Sequence, residues 1–135
     1  MAGMTTNASQ FSVFSRAGPA RTALEVVTNR WALLALRALR DGPLRFNGLA
    51  RRVEGVSQKM LSQTLHALER DGFVNRRMHA TFPLHVQYSL TPLGQATADQ
   101  LADLITLVEN AMPHVLTAQQ HYDTTKTTTP QGWAQ

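Results

Sequence analysis

The stretch Ser57-Gln58-Lys59-Met60-Leu61-Ser62-Gln63-Thr64-Leu65-His66-Ala67-Leu68-Glu69-Arg70-Asp71 decides how this chain is read. Leu61, Leu65 and Leu68 recur at steps of four and three, the spacing that puts apolar side chains on one face of an α-helix. Ser57 suits the N-cap position, where its hydroxyl can accept a free backbone N–H. Asp71-Gly72 closes the run, glycine being suited to the left-handed residue just past a helix end. Opposite the leucines, Gln58, Lys59, Ser62, Gln63 and His66 form one contiguous polar face. A lone helix of this kind would simply turn that face to water, so its meaning depends on what flanks it.

Upstream, a short helix is predicted over about Arg45 to Val53, with Phe46, Leu49 and Val53 facing a core, and Glu54-Gly55-Val56 makes the turn. Downstream, two extended runs are predicted, Phe73 to His79 and Val86 to Leu90, with Val86, Tyr88 and Leu90 inward. Ala80 to His85 reads as a hairpin tip containing Pro83. It has no Asn-Gly type turn, which leaves the pairing register open. Before all of this, a helix from Pro19 or Ala20 to Arg40 is predicted from Leu24, Val27, Trp31, Leu34 and Ala38, and Asp41-Gly42-Pro43 stops it. Val26, Leu33, Leu36 and Leu39 fall off that stripe, so this helix is buried on more than one side. A last helix begins at Thr91-Pro92 and carries Leu101, Leu104, Ile105, Val108, Ala111, Met112 and Val115 in an apolar stripe, with Pro113 expected to kink or end it.

Helix, short helix, turn, helix and hairpin is the order of a winged helix-turn-helix, mainly α with a small β-hairpin wing (α+β). The expected layout is a flexible arm over 1–17, one domain over 18–118 with flanking dimerisation helices at about 20–40 and 92–118, and a flexible tail over 119–135. A core of this size covers one face of the first helix. Leu24, Val27 and Trp31 on that helix, with Leu101, Leu104, Ile105, Val108, Met112 and Val115 on the last, are therefore expected to meet a second copy, the alternative being a return of the last helix onto its own chain. Trp31, an aromatic among leucines, reads first as a core residue.

Charge agrees with this order. The formal net charge is +4, but Arg30 to Ala80 holds ten Lys/Arg against four Asp/Glu, while the rest holds three against five. Double-stranded DNA is the natural partner for such a segment. Ser57, Gln58, Lys59, Ser62, Gln63 and His66 would face the major groove, where Gln can pair with adenine and Lys can donate to guanine or phosphate. Arg45, Arg51 and Arg52 would contact phosphates, and Arg76, Arg77, His79 and His85 would bring the wing to the duplex. A competing reading keeps the fold but makes it a protein-interaction module without base reading. It predicts little dependence of DNA binding on Lys59 and Gln63.

The residues also resemble a known family, the HxlR-type regulators. The likeness is carried by Gly42-Pro43-Leu44-Arg45-Phe46-Asn47, Val56-Ser57-Gln58-Lys59-Met60-Leu61 and Leu68-Glu69-Arg70-Asp71-Gly72-Phe73-Val74. Val86-Gln87-Tyr88-Ser89-Leu90-Thr91 and Gly94 continue it, and Asn29-Arg30-Trp31 looks like that family's Gly-Lys-Trp segment. The resemblance spans roughly Gly18 to Val115. It implies a winged-helix dimer that regulates transcription, with the first and last helices at the dimer interface and the Ser57 helix in the major groove; two-fold symmetry then predicts a pseudo-palindromic operator. Many members carry Cys-Pro before the first helix as an electrophile or oxidant sensor, and Gly18-Pro19 stands there in this chain. The signal is then something other than a thiol, such as a small molecule that the sequence does not name, or there is none.

The chain has no cysteine, so thiol sensing, disulfides and thiolate metal sites are excluded. No apolar run approaches the roughly 20 residues of a membrane helix, and Phe11 to Phe14 is too short for a signal segment, so a cytoplasmic, nucleoid-associated setting is expected. His66, His79, His85, His114 and His121 show no metal-ligand spacing, and no nucleophile-base pattern or phosphate loop is present, so neither a metal, a cofactor nor an enzyme is expected.

Overall fold

A computed structural model describes residues 11–127 of the chain. Its elements are α1 (Pro19–Thr28), α2 (Arg30–Arg40), β1 (Leu44–Arg45), α3 (Phe46–Arg52), α4 (Gln58–Arg70), β2 (Val74–His79), β3 (His85–Leu90) and α5 (Pro92–Thr127). The chain divides into two compact units, one ending at Leu101 and the other starting at Ala102. The first ten residues of α5 belong to the first unit and the remainder to the second.

The core of the first unit is built on α2 and α4. Ala35, Leu36, Leu49, Leu61, Leu68 and Ala98 are wholly inaccessible, and Ala32, Leu65 and Val74 nearly so. Burying a leucine side chain contributes about 1.5–3 kcal/mol, so the three leucines of α4 hold that helix firmly against α2. Gly55 and Gly72 adopt φ of 93° and 84°, the left-handed conformation that ends α3's turn and α4 without the strain a Cβ would add.

The single helix expected from Pro19 to Arg40 is two. Asn29 is extended (φ −59°, ψ 137°), its N–H still reaches the Glu25 carbonyl, and its side chain accepts the Trp31 N–H at 3.0 Å, capping α2. An asparagine that offers the backbone a side-chain partner can break a run of good helix formers. The break resets the helical phase, so the expected stripe is only partly right. Val27 and Ala38 are buried, whereas Leu24 and Leu34 are exposed, and Ala32, Ala35, Leu36 and Leu39 take the core positions instead.

The hairpin forms nearly where expected, and its register is now fixed: Val74 pairs with Leu90, Arg76 with Tyr88, and His79 with His85. The sheet gains a third strand that the sequence does not announce, β1, which pairs antiparallel with β3 to give the order β1-β3-β2. At the sheet's exit, Thr91 ties three segments together. Its hydroxyl donates to the Gly72 carbonyl (2.6 Å) and accepts the Gly94 N–H (2.9 Å), and its own N–H donates to the Phe73 carbonyl (3.2 Å). Gly94 lies so close to that carbonyl that a Cβ here would overlap the Phe73 oxygen.

Helix α5 does not stop at Pro113 but continues to Thr127. Proline removes one N–H, which leaves the Glu109 carbonyl without its usual helix partner. Glu109 and Pro113 are both exposed, so water can satisfy that carbonyl, and the Thr117 hydroxyl donates to the Pro113 carbonyl at 2.9 Å. The tail expected from Gln119 is thus helical through Thr127, and 128–135 lie outside the described residues. Of the arm expected over 1–17, residues 1–10 also lie outside them. Phe11 to Ala17 form turns, and the Arg21 guanidinium donates to the carbonyls of Val13 (3.0 Å) and Phe14 (2.9 Å).

Candidate nucleic-acid interface

The α3-turn-α4 pair presents the face expected from the sequence. The Ser57 hydroxyl accepts the Met60 N–H at 3.0 Å and caps α4. Behind the helix Leu61, Leu65 and Leu68 are buried; in front, Gln58, Lys59, Ser62, Gln63 and His66 are all exposed. None of those five side chains is engaged by another of the described residues. The helix therefore holds a row of hydrogen-bonding groups on a rigid support with nothing of its own to bind.

The flanking arginines are not equivalent. Arg45 and Arg51 are exposed and line a polar depression with Asn47 and Gln87, a suitable place for a phosphate. Arg52 is committed elsewhere: it binds Asp41 at 2.9 Å, and Arg37 binds the same carboxylate at 3.1 Å. The hydrogen bond from Arg52, and then that from Arg37, hold the Asp41 carboxyl below its ordinary value of 3.8. Asp99 is held down in the same way, first by Arg40 and then by Gln95.

The wing is basic without interruption, since no Asp or Glu occurs between Gly72 and Ala98. Arg76 and Arg77 are both exposed, but consecutive strand residues point to opposite faces, so they do not serve one surface together. His79 and His85 are half-buried and occupied with the hairpin itself. Their rings stack at 4.8 Å, His79 Nε2 donates to Gln87 Oε1 (3.1 Å), and His85 Nδ1 donates to the Pro83 carbonyl (2.8 Å). They fasten the wing rather than project from it. This role depends on the register, and the sequence leaves the register open.

The residues expected at a dimer interface divide likewise. Val27 and Leu101 are already buried in the first unit, on the floor of a groove that Leu24 and Phe73 also line. Their apolar area is spent within the chain, so they do not form a free surface. Trp31 is half-buried, with the Arg30 guanidinium 5.4 Å from the ring centre. On the outer part of α5, Leu104, Val108 and Met112 are exposed and Ile105 and Val115 half-buried. Leu107 and Leu116, which the sequence reading left out, are more exposed still, at 63% and 57%. Among the described residues, no helix is long and apolar enough to cross a membrane, and no cluster of three His, Asp or Glu could hold a metal ion.

Comparison with known proteins agrees with this geometry. Residues 26–115 match the family profile described as HxlR-like helix-turn-helix. The HTH-type transcriptional regulator YtfH of Escherichia coli K12 is 48% identical over 105 residues, covering 78% of this chain and 83% of that protein. The structure of the transcriptional regulator ytfH from Salmonella typhimurium superposes with a TM-score of 0.76 at 48% identity, over 81% of this chain and 97% of that one. The redox regulator HypR in its reduced form superposes at 0.66 with 28% identity, over 74% and 99%. With a basic hairpin beside an unengaged polar helix face, and with these relatives, the chain belongs to the HxlR-like helix-turn-helix family of DNA-binding transcriptional regulators.

Proposed function

We propose that the chain acts as a homodimer that reads a pseudo-palindromic operator, each copy laying α4 in one major groove. The observation that carries this reading is the face of α4: five exposed, unengaged polar side chains on a capped helix whose opposite side is buried leucine. Gln58 and Gln63 have the donor-acceptor pair that adenine offers, Lys59 can reach guanine or phosphate, and Ser62 and His66 complete the row, with Ser57 at the helix entrance. Arg45 and Arg51 position the duplex through phosphates, and one of Arg76 and Arg77 approaches it from the wing. The protein works in the cytoplasm, on nucleoid DNA.

The second copy is supported by the apolar side chains along the outer α5. Leu104, Leu107, Val108 and Leu116 are each about half exposed or more, an unusual apolar cost for a helix facing water alone. Two-fold symmetry then places half-sites about 34 Å apart, or a multiple of that. The test is selection from random duplex DNA, followed by titration of the enriched sequence at two salt concentrations, with light scattering on the free protein. An enriched inverted repeat, salt-dependent binding and a dimeric mass are expected. A monomer at micromolar concentration refutes the dimer, and failure to enrich any sequence refutes base reading by α4.

A further inference from the structure

A cleft of about 340 Å³ lies between α1 and α4 in the first unit. Its apolar lining comes from Val26, Ala32, Met60 and Ala67, and its polar groups include Glu25, Gln63 and Thr64. That size and that mixture, apolar walls with a few polar groups, are those of a small-molecule site.

The side chains of Thr22, Glu25, Gln63 and Thr64 have no partner among the described residues, and of these Thr64 and Glu25 set the chemistry. Thr64 is only 8% exposed, yet its hydroxyl is bonded to nothing among the described residues. Thr22, on the same cleft, and Thr106 are likewise without a hydroxyl partner among the described residues, whereas other helical threonines bond back along the helix. Thr28, Thr97 and Thr117 each return the hydroxyl to the carbonyl four residues back, at 2.7, 2.8 and 2.9 Å. No buried side-chain polar atom lacks a partner among the described residues, so the Thr64 hydroxyl is open to water in the cleft, and a ligand group can take that water's place. Glu25 is the second: its carboxylate forms no ion pair or hydrogen bond among the described residues, and no Lys or Arg lines the cleft. The electrostatics there favour a cation and disfavour an anion.

We propose that this cleft is an effector site for a small organic ammonium, one apolar or aromatic group on a short aminoalkyl chain. Its ammonium pairs with Glu25 and donates a further N–H to the Thr64 hydroxyl, and its body lies on Val26, Ala32 and Ala67. The site bears on function because Met60 and Gln63 belong to α4. A ligand that holds Gln63 takes away a side chain assigned to a base, so ligand and operator compete, and by linkage each weakens the other by the same factor. The coupling rests on the reading of α4 given above; the site itself does not.

The test uses the full-length protein without DNA and three probes of matched shape: 2-phenylethylammonium, 2-phenylethanol and 3-phenylpropionate. Amide shifts in nuclear magnetic resonance titrations are expected to cluster on Val26, Gln63, Thr64 and Ala67. The ammonium should bind about three- to fivefold more tightly than the alcohol, the range of an exposed ion pair, and the carboxylate more weakly than both. Glu25→Gln, at an exposed position, should reduce the ammonium to the affinity of the alcohol and leave the alcohol unchanged, and Thr64→Val should weaken all three probes. Shifts scattered over the surface, or an order of affinities that Glu25→Gln does not alter, overturn the site. In a second arm the ammonium should weaken operator binding. Binding in the cleft with no effect on DNA affinity overturns the coupling and keeps the site. A protein that binds the probe but no DNA refutes the reading of α4 instead.

Discussion

Replacing Thr91 by valine keeps the shape of the side chain and removes one hydroxyl, which has two partners. As acceptor it holds the Gly94 N–H in the first turn of α5, and losing such a cap costs typically about 1 kcal/mol. As donor it binds the Gly72 carbonyl at 2.6 Å. Gly72 is exposed, so water can replace that bond and its loss costs about a further 0.5–1 kcal/mol. The sum is about 2 kcal/mol. For a chain of 135 residues, the usual unfolding entropy turns this into a fall in Tm of about 7 °C. Thr97→Val is the control, because its hydroxyl only returns to the Leu93 carbonyl within the same helix, and a change within about 0.5 kcal/mol is expected. Thermal unfolding of both variants and the parent, at one protein concentration so that dimerisation does not shift the comparison, decides it. Equal Tm values for the two variants would show that the Thr91 tie contributes nothing beyond an ordinary helical threonine.

Gln63→Ala should cost about 1–3 kcal/mol on the selected operator and little on random duplex, whereas Arg76→Ala should weaken both and lower the salt slope by about one; equal loss on both DNAs for Gln63→Ala would remove it from base reading. Gly94→Ala should destabilise the fold by about 3 kcal/mol in urea unfolding, because the new Cβ meets a backbone carbonyl that cannot swing aside; a stability unchanged from the parent would contradict that contact. The lowered Asp41 and Asp99 carboxyls favour the folded chain above the unfolded value near 3.8, and that contribution is lost as pH falls through the lower folded value. Asp41→Asn should therefore lose less stability than the parent between about pH 5 and pH 2. The same substitution releases Arg37 and Arg52, so affinity for random duplex should rise and its salt dependence steepen; no change would mean that neither arginine reaches a phosphate.

Helix α4 was legible in the sequence because every signal about it is local. Ser57 caps it, the leucines phase it, and Gly72 ends it, so the exposed polar row follows from counting. The break at Asn29 was hidden because the residues around it are good helix formers, and a cap inside such a run looks like one more helical position. Strand β1 is two residues long and has no periodicity; it exists because β3 has a second edge to pair. The fates of Arg52, His79 and His85 depend on partners distant in sequence or on a register that the tip residues do not encode. The continuation through Pro113 depends on Glu109 being exposed, which composition does not reveal. The order of the elements that local signals announce is kept; the helix break, the short strand and the commitment of side chains to one another rest on contacts that the sequence does not display.

The knot around Thr91 also bears on how a signal could travel. Gly72 and Phe73 terminate α4, and Thr91 and Gly94 begin α5. With no room for even a methyl group between them, the two ends cannot slide past one another. They behave as a gear without backlash: the close contact couples the first turn of α5 to the foot of α4, so that a tilt of one end is felt at the other.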